Sequence, residues 1–347
     1  MKERILCSLK NISFVIIIAL LGAACGDDKE ESIDVGNEGG NGTVTGTVAK
    51  VDVKKAGSLS SLIGDDVKFN ITDLTVTGDI NGDDIALIRE MAGADVNGDE
   101  TKGHLSKLNL KDANIVAGGN PYYIRSTTQA YYSRTNVLTS YMFVGCNNLT
   151  TVIFPKAIEV IESCIFGFCR NLVSLSIGCG LRYIGVLDIT GGIGFDKIFF
   201  GCNSLVKFTV SEDNPNFISV DGMLLTKDKS RLVTCPVVKT KIDIPSSVTI
   251  IGGPSSYDDT IFPYRYYAYP FSYSSLTSVT IPANVRTIFG FNNCTQLMEV
   301  HIRCTTPPAL PEAFIAVNDK CIFYVPRGTL DVYKKSEWWK YKNIVEE

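Results

Sequence analysis

Phe166-Gly167-Phe168-Cys169-Arg170-Asn171-Leu172-Val173-Ser174-Leu175-Ser176-Ile177 is one copy of a pattern that this chain spells four times. With Φ for an apolar residue, the pattern is Phe-x-x-Cys-x-x-Leu-x-x-Φ-x-Φ. The other copies are Phe143…Cys146…Leu149…Val152-x-Phe154, Phe199…Cys202…Leu205…Phe208-x-Val210 and Phe291…Cys294…Leu297…Val300-x-Ile302. A worn fifth, Phe271…Leu276…Val279-x-Ile281, has lost one residue between its first two anchors. Such repetition marks a solenoid, in which each unit buries its apolar face only against its neighbours.

Within each unit, Φ-x-Φ is the period-two alternation of a short strand with one buried face. A proline or glycine follows it at Pro155, Gly178 and Pro282. A second half then carries apolar residues three apart, at Ile158/Ile161, Leu181/Ile184, Val248/Ile251 and Val285/Ile288. The Phe-x-x-Cys-x-x-Leu stretch is too short for a full helix, so one or two helical turns return the chain to the next strand. Leu149 and Leu172 are 23 residues apart, one unit of the stack. Parallel strands from successive units then pair with each other.

The chain begins with Lys2, Arg4 and Lys10, a short apolar run from Ile12 to Leu21, and the small residues Gly22-Ala23-Ala24 before Cys25. Residues 1–24 read as an export signal, the apolar run being too short to span a bilayer. The order resembles a bacterial lipoprotein signal, which implies acylation at Cys25. It departs in having Gly22 where leucine is usual, with Leu21 one step earlier, and cleavage by an ordinary signal peptidase is the alternative. Residues 25–47, with Asp27-Asp28-Lys29-Glu30-Glu31 and a run of glycines, read as a flexible tether. Acidic residues just behind the cysteine also resemble the surface-export signal of Bacteroidetes lipoproteins. Together these imply an outer-membrane, lipid-anchored, surface-exposed protein that meets the membrane only through its lipid.

A formal net charge of −4 argues against a phosphate-backbone partner, so no nucleic acid is expected. The cysteines repeated at one position read as a buried structural ladder of small apolar side chains. Metal ligation has neither C-x-x-C spacing nor nearby histidines to recommend it. Asp79-x-Asn81-x-Asp83 with Glu90 imitates a calcium loop but has Asp84 where the turn needs glycine. A strand, a turn and a helix capped by Asp83, with Ile85, Leu87 and Ile88 inward, account for the same residues. No metal and no cofactor are expected. With His104 and His301 the only histidines and no nucleophile or phosphate-loop motif, the chain reads as non-enzymatic. A carboxylate pair across a cleft would be the exception.

The whole spelling resembles the BspA-like leucine-rich repeats abundant in surface proteins of Gram-negative anaerobes. The likeness runs over roughly residues 56–347. It includes the hairpin-bearing repeat from Asn214-Pro215-Asn216-Phe217 through Val220-Asp221-Gly222-Met223-Leu224 to Cys235-Pro236. Leu105…Leu108-x-Leu110 near the start belongs to it too, and so do Thr305-Thr306-Pro307-Pro308, Tyr324-Val325-Pro326 and Trp338-Trp339 at the close. The resemblance implies an α/β-type leucine-rich-repeat solenoid, strand-dominated with short helical turns. Its divisions are an N-terminal cap with irregular repeats over 48–118, the BspA-like repeats over 119–305, and a C-terminal cap over 306–347. It further implies adhesin-like binding of a host-matrix or cell-surface protein. A glycan-binding accessory lipoprotein of a nutrient-uptake system is the other reading.

Three insertions fall at one point of the repeat, between the second-half isoleucine and the next Phe: Ile115 to Phe143, Ile184 to Phe199, and Ile251 to Phe271. They should emerge along one edge, where repeat arrays often build a binding face. The first carries Tyr122, Tyr123, Tyr131 and Tyr132; the third carries Tyr257, Tyr264, Tyr266, Tyr267 and Tyr269. Tyrosine gives a large contact area at little entropic cost, for a protein or a sugar ring alike. These nine are the candidate ligand-binding residues. The competing possibility is that they fold back and pack on the repeats.

Overall fold

The computed structural model describes residues 32–187, 198–236, 238–254 and 266–347. Strands dominate, and the α-helices are Leu59–Ile63, Gly82–Met91 and Leu330–Lys334 among these residues. No helix among them is long and apolar enough to cross a membrane.

The Φ-x-Φ segments form the first column of strands. Lys107–Asn109, Thr151–Ile153, Ser174–Ile177 and Lys207–Val210 pair in parallel, each unit on the next. Val152 sits beside Leu175, and Leu175 beside Phe208, so equivalent anchors stack. The column resumes with Lys241–Asp243, Ser278–Ile281, Glu299–Ile302 and Ile322–Val325, again parallel. Ile322–Val325 thus extends the repeats into the stretch assigned from sequence to the C-terminal cover. Every anchor of the five copies is buried except Val210, which is half-buried.

The second halves form a column of their own. Val137–Leu138, Val160–Ile161 and Tyr183–Ile184 pair in parallel, as do Arg231–Thr234, Ile250–Ile251, Thr287–Gly290 and Ala309–Ala313. The return segment, expected as helical turns, is a run of i→i+3 turns without a helix. Cys169 N–H donates to Phe166 C=O at 3.0 Å and Leu172 N–H to Cys169 C=O at 3.2 Å, and the Phe199 unit repeats both bonds. Two successive three-residue turns are what spaces Phe, Cys and Leu by three.

Ahead of the repeats, Ser32–Asn37, Gly40–Thr45 and Val48–Val53 form an antiparallel meander whose last strand pairs in parallel with Asp73–Ile80. The flexible tether expected as far as residue 47 is therefore already sheet from Ser32. Its glycines serve close packing: a Cβ on Gly40 (φ 151°) would lie 2.0 Å from the Asp52 carbonyl oxygen. The helix begins two residues earlier than expected, with Asn81 rather than Asp83 as its N-cap. The Asn81 side chain accepts from Asp83 N–H, and the Asp84 carboxylate accepts from Asn81, Gly57 and Leu59 N–H at 2.6–2.9 Å. Asp84 thereby ties the helix start to the short helix before it.

The hairpin-bearing repeat interrupts both columns. Phe217–Val220, Met223–Thr226 and Arg231–Thr234 form a meander, with Asp221 (φ 50°) and Gly222 (φ 76°) as a two-residue turn. The core divides here. Leu224 and Val233 join the core on the N-terminal side, and Met223, Leu225 and Leu232 join the one beyond. The last strand, Ile344–Glu346, pairs with Ile322–Val325, and the buried Trp338 donates its indole N–H to Pro308 C=O at 2.8 Å.

Candidate functional site

The Phe-x-x-Cys turns form a third column, knit by hydrogen bonds between units. Gly145 N–H donates to Gly167 C=O at 2.8 Å, and Phe168 N–H to Phe200 C=O at 2.6 Å. Further on, Tyr273 N–H donates to Asn292 C=O at 2.8 Å and Asn293 N–H to Ile315 C=O at 2.7 Å. In these four bonds the donor is the residue two after Phe, and that position has a left-handed backbone in every unit. The φ values are 76° at Gly145, 63° at Phe168, 74° at Gly201, 61° at Tyr273, 58° at Asn293 and 54° at Ala316. Glycine and asparagine suit that region; a bulky side chain there is held at a cost in strain. Phe168 and Tyr273 bear that cost while 45% and 46% exposed.

Phe200 stands between them. Its ring meets Phe168 edge-on at 4.8 Å and 71°, and Tyr273 at 5.9 Å and 65°. Gly201 makes this possible, since a Cβ there would come 3.1 Å from the Phe168 ring and 3.2 Å from its Cα. Beneath the rings lies a cleft of about 440 Å³, lined among others by Phe200, Gly201, Cys235, Tyr269, Ser272 and Tyr273.

The cleft follows from the hairpin-bearing repeat. By strand register, Leu232 and Lys241 hold the places of Ile161 and Ser174 in a regular unit. The regular return runs over 162–173, whereas here it must be made by 233–240, four residues fewer. The buried phenylalanines stack at 5.4 Å (Phe143–Phe166) and 6.3 Å (Phe166–Phe199), then again at 4.4 Å (Phe271–Phe291) and 4.7 Å (Phe291–Phe314). Between Phe199 and Phe271 the short return supplies no such turn.

The first insertion is a hairpin of Gly118–Ser126 and Gln129–Ser133 beside the helix Gly82–Met91. Tyr122 is a correction to the sequence reading. It is fully enclosed and its hydroxyl bonds Ser140 C=O at 2.7 Å and the Thr139 hydroxyl at 2.6 Å, so its ring offers no surface to a ligand. Tyr123 and Tyr131 are half-buried in a cluster with Tyr141, with centroids 4.8–6.0 Å apart. The Arg89 and Arg125 guanidiniums lie 5.0 Å from the Tyr123 ring and 5.4 Å from the Tyr141 ring. Burial pushes the Tyr141 hydroxyl up to about 12. Tyr132, 53% exposed, is the open one of the four.

The second and third insertions meet in one sheet, where Tyr266–Ala268 pairs antiparallel with Val186–Leu187 and Gly253–Pro254. Tyr266 and Tyr267 lie on that central strand, Tyr269 follows it into the cleft wall, and Tyr257 and Tyr264 lie outside the described residues. Phe168, Phe200 and Tyr273 escaped the sequence reading because they sit within the repeat. The signal for Phe168 and Tyr273 was positional, an aromatic residue two after Phe where other copies have Gly145 or Gly201, while Phe200 directly follows Phe199.

The repeated cysteines are buried and unbridged, and three of them do more than fill space. Cys169, Cys202 and Cys294 donate S–H to the carbonyls of Phe143, Phe166 and Phe271 in the preceding units, at 3.0, 3.0 and 2.9 Å. Burial raises the Cys146 thiol to about 11 and Cys202 to about 12. Cys25 lies outside the described residues. The calcium-like carboxylates are spent within the fold: Asp79 accepts from Asn114 at 3.0 Å, Asp83 from Asn120 at 2.8 Å, and Glu90 from Lys68 at 3.2 Å. Among the described residues, no group of three or more His, Cys, Asp or Glu could hold a metal ion.

The chain matches the family described as BspA type leucine rich repeat region, with 6 copies, at residues 265–322. No curated protein matches it. One similar solved structure is a leucine-rich repeat protein from Eubacterium ventriosum, 18% identical over 88% of this chain and 83% of that one, with a TM-score of 0.41. A leucine rich cell surface protein from Faecalibacterium prausnitzii is 13% identical over 91% and 95%, at 0.36. The pneumococcal vaccine antigen PcpA is 12% identical over 91% and 98%, at 0.34.

Proposed function

We propose that this chain, which carries BspA-type leucine-rich repeats, is a non-enzymatic surface lipoprotein that binds another protein along its turn edge. In this reading the stacked units are a solenoid, covered at one end by the sheet and helices before Lys107 and at the other by the segment around Trp338. Cys25 carries the lipid that holds it to the outer membrane, and the adhesin-like role is the one the resemblance implies.

The observation that carries the protein-binding reading is the ring geometry. Phe168, Phe200 and Tyr273 meet at 71° and 65°. Sugar rings stack on flat aromatic faces, and edge-to-face rings make no continuous platform for them. An irregular aromatic ridge at strained, exposed positions suits the pockets of a protein partner, where aromatic anchors dominate the binding energy. Tyr269 in the cleft wall adjoins this ridge, and we keep Tyr123, Tyr131, Tyr132, Tyr266 and Tyr267 as further candidate ligand-binding residues.

The test is the mature domain on paired arrays of matrix proteins and polysaccharides, with a Phe168→Ala/Tyr273→Ala variant alongside. Binding to a protein, weakened at least tenfold in the variant with an unchanged melting curve, is the expected result. Capture by polysaccharides alone would turn the reading to the glycan-binding alternative. Equal binding by both forms would move recognition off this edge.

A further inference from the structure

We infer that the cleft between the Phe199 and Phe271 turns receives an uncharged turn of a partner protein, whose aromatic side chain takes the place of the turn this repeat lacks. This rests on the protein-binding reading above and specifies what the partner presents.

The walls are two layers of one interrupted column. Above, Phe168 donates its N–H to the Phe200 carbonyl; below, Tyr273 donates to Asn292 and Asn293 to Ile315. Among the described residues no such turn bond joins the Phe199 turn to the Phe271 turn. In register, Gly201 holds the donor position of the upper turn and Ser272 the acceptor position of the lower, and both line the cleft. A turn of backbone placed between them has a carbonyl for the one and an N–H for the other, as each neighbouring unit does.

The chemistry of the lining narrows the occupant. Among the described residues, every side chain that lines the cleft is uncharged. A phosphate, an acidic peptide or a basic peptide would lose its hydration there with no counter-charge to replace it. The polar groups are hydroxyls, amides and backbone, matched to the neutral donors and acceptors of a peptide. Apolar surface comes from Phe199, Val233 and Ala268. A volume of about 440 Å³ is within the usual range for a ligand cleft.

The probe is a blocked octapeptide with the sequence of residues 290–297, Gly-Phe-Asn-Asn-Cys-Thr-Gln-Leu, in its Cys294→Ser form. It is uncharged and carries the repeat's own turn. Calorimetric titration into the full chain should give saturable binding of one peptide per chain. The Phe291→Ala peptide should bind at least tenfold more weakly. So should the original peptide to a Ser275→Trp protein, whose exposed substitution crowds the cleft without touching the core. Non-saturable binding, or equal binding to both peptides and both proteins, would overturn the inference. So would self-association of the wild type that Ser275→Trp abolishes, since a second copy would then be the occupant. Loss of array binding in the Phe168→Ala/Tyr273→Ala variant together with failure of the peptide would leave the edge reading standing and remove only this one.

Discussion

Replacing Leu172 by alanine tests the repeat where it is most constrained. Leu172 is fully buried in the same core as its equivalents Leu149 and Leu205. Burying a leucine side chain is worth about 1.5–3 kcal/mol, and the cavity left by truncation adds to that loss. How far the cavity closes decides the total. The strands on either side are fixed by parallel pairing, Val152 beside Leu175 and Leu175 beside Phe208. Leu172 N–H is itself tied to Cys169 C=O at 3.2 Å. Neighbouring units therefore cannot settle into the gap without breaking main-chain hydrogen bonds, which places the cost in the upper range, about 3–5 kcal/mol. The adjacent Val173 is 40% exposed, and Val173→Ala should cost no more than about 0.5 kcal/mol. Urea unfolding followed by far-ultraviolet circular dichroism on wild type and both variants gives the comparison. Equal costs for the two, within error, would refute the inward placement of leucine and with it the register of the repeat.

Two further outcomes follow from the cysteines. Folded Cys146 and Cys202 titrate near 11 and 12 against 9.0 for an ordinary thiol, so their contribution is complete below pH 9 and lost as pH rises towards those values. At pH 10, one unit above 9.0, each contributes roughly 1 kcal/mol of destabilisation through the unfolded state. Urea unfolding at pH 7.5 and 10 should therefore show Cys146→Ala/Cys202→Ala losing about 2–3 kcal/mol less than wild type; equal losses would contradict the burial of these thiols. Lipidation at Cys25 predicts an intact mass for a chain that begins at acylated Cys25, and release from the membrane in Cys25→Ala. A soluble wild-type chain with another N-terminus would sink that assignment.

The repeat was legible because its anchors are the same residues doing the same work: Phe, Cys and Leu at spacing three, then an alternating strand, recur with one burial pattern. What sequence could not show was set by contacts between distant segments. Tyr122 and Tyr132 look alike in a tyrosine-rich insertion, yet one is enclosed and the other open because their hairpin packs beside a helix that ends at Met91. Glycines 39, 40 and 42 resemble a linker until their strands come together and the backbone needs the space. The use of the repeated cysteine as a donor depends on a carbonyl one unit away, which no spacing within a unit reveals.

The cleft is the instructive case, because its cause is a length difference that has no meaning until the strands are paired. Only the register identifies Leu232 with Ile161 and Lys241 with Ser174, and so exposes a return four residues short. That same repeat divides the core, its strand Met223–Thr226 sending alternate side chains to the two sides. A hairpin strand with both faces buried needs no Phe-x-x-Cys turn to complete its layer, so the turn can be lost without exposing a core. The array keeps its strand columns while one turn layer is missing between the Phe199 and Phe271 turns, with the Phe200 and Tyr273 rings meeting across it. An interruption that would be a defect in a purely structural stack becomes, on the inference drawn above, a layer that a turn from another molecule completes.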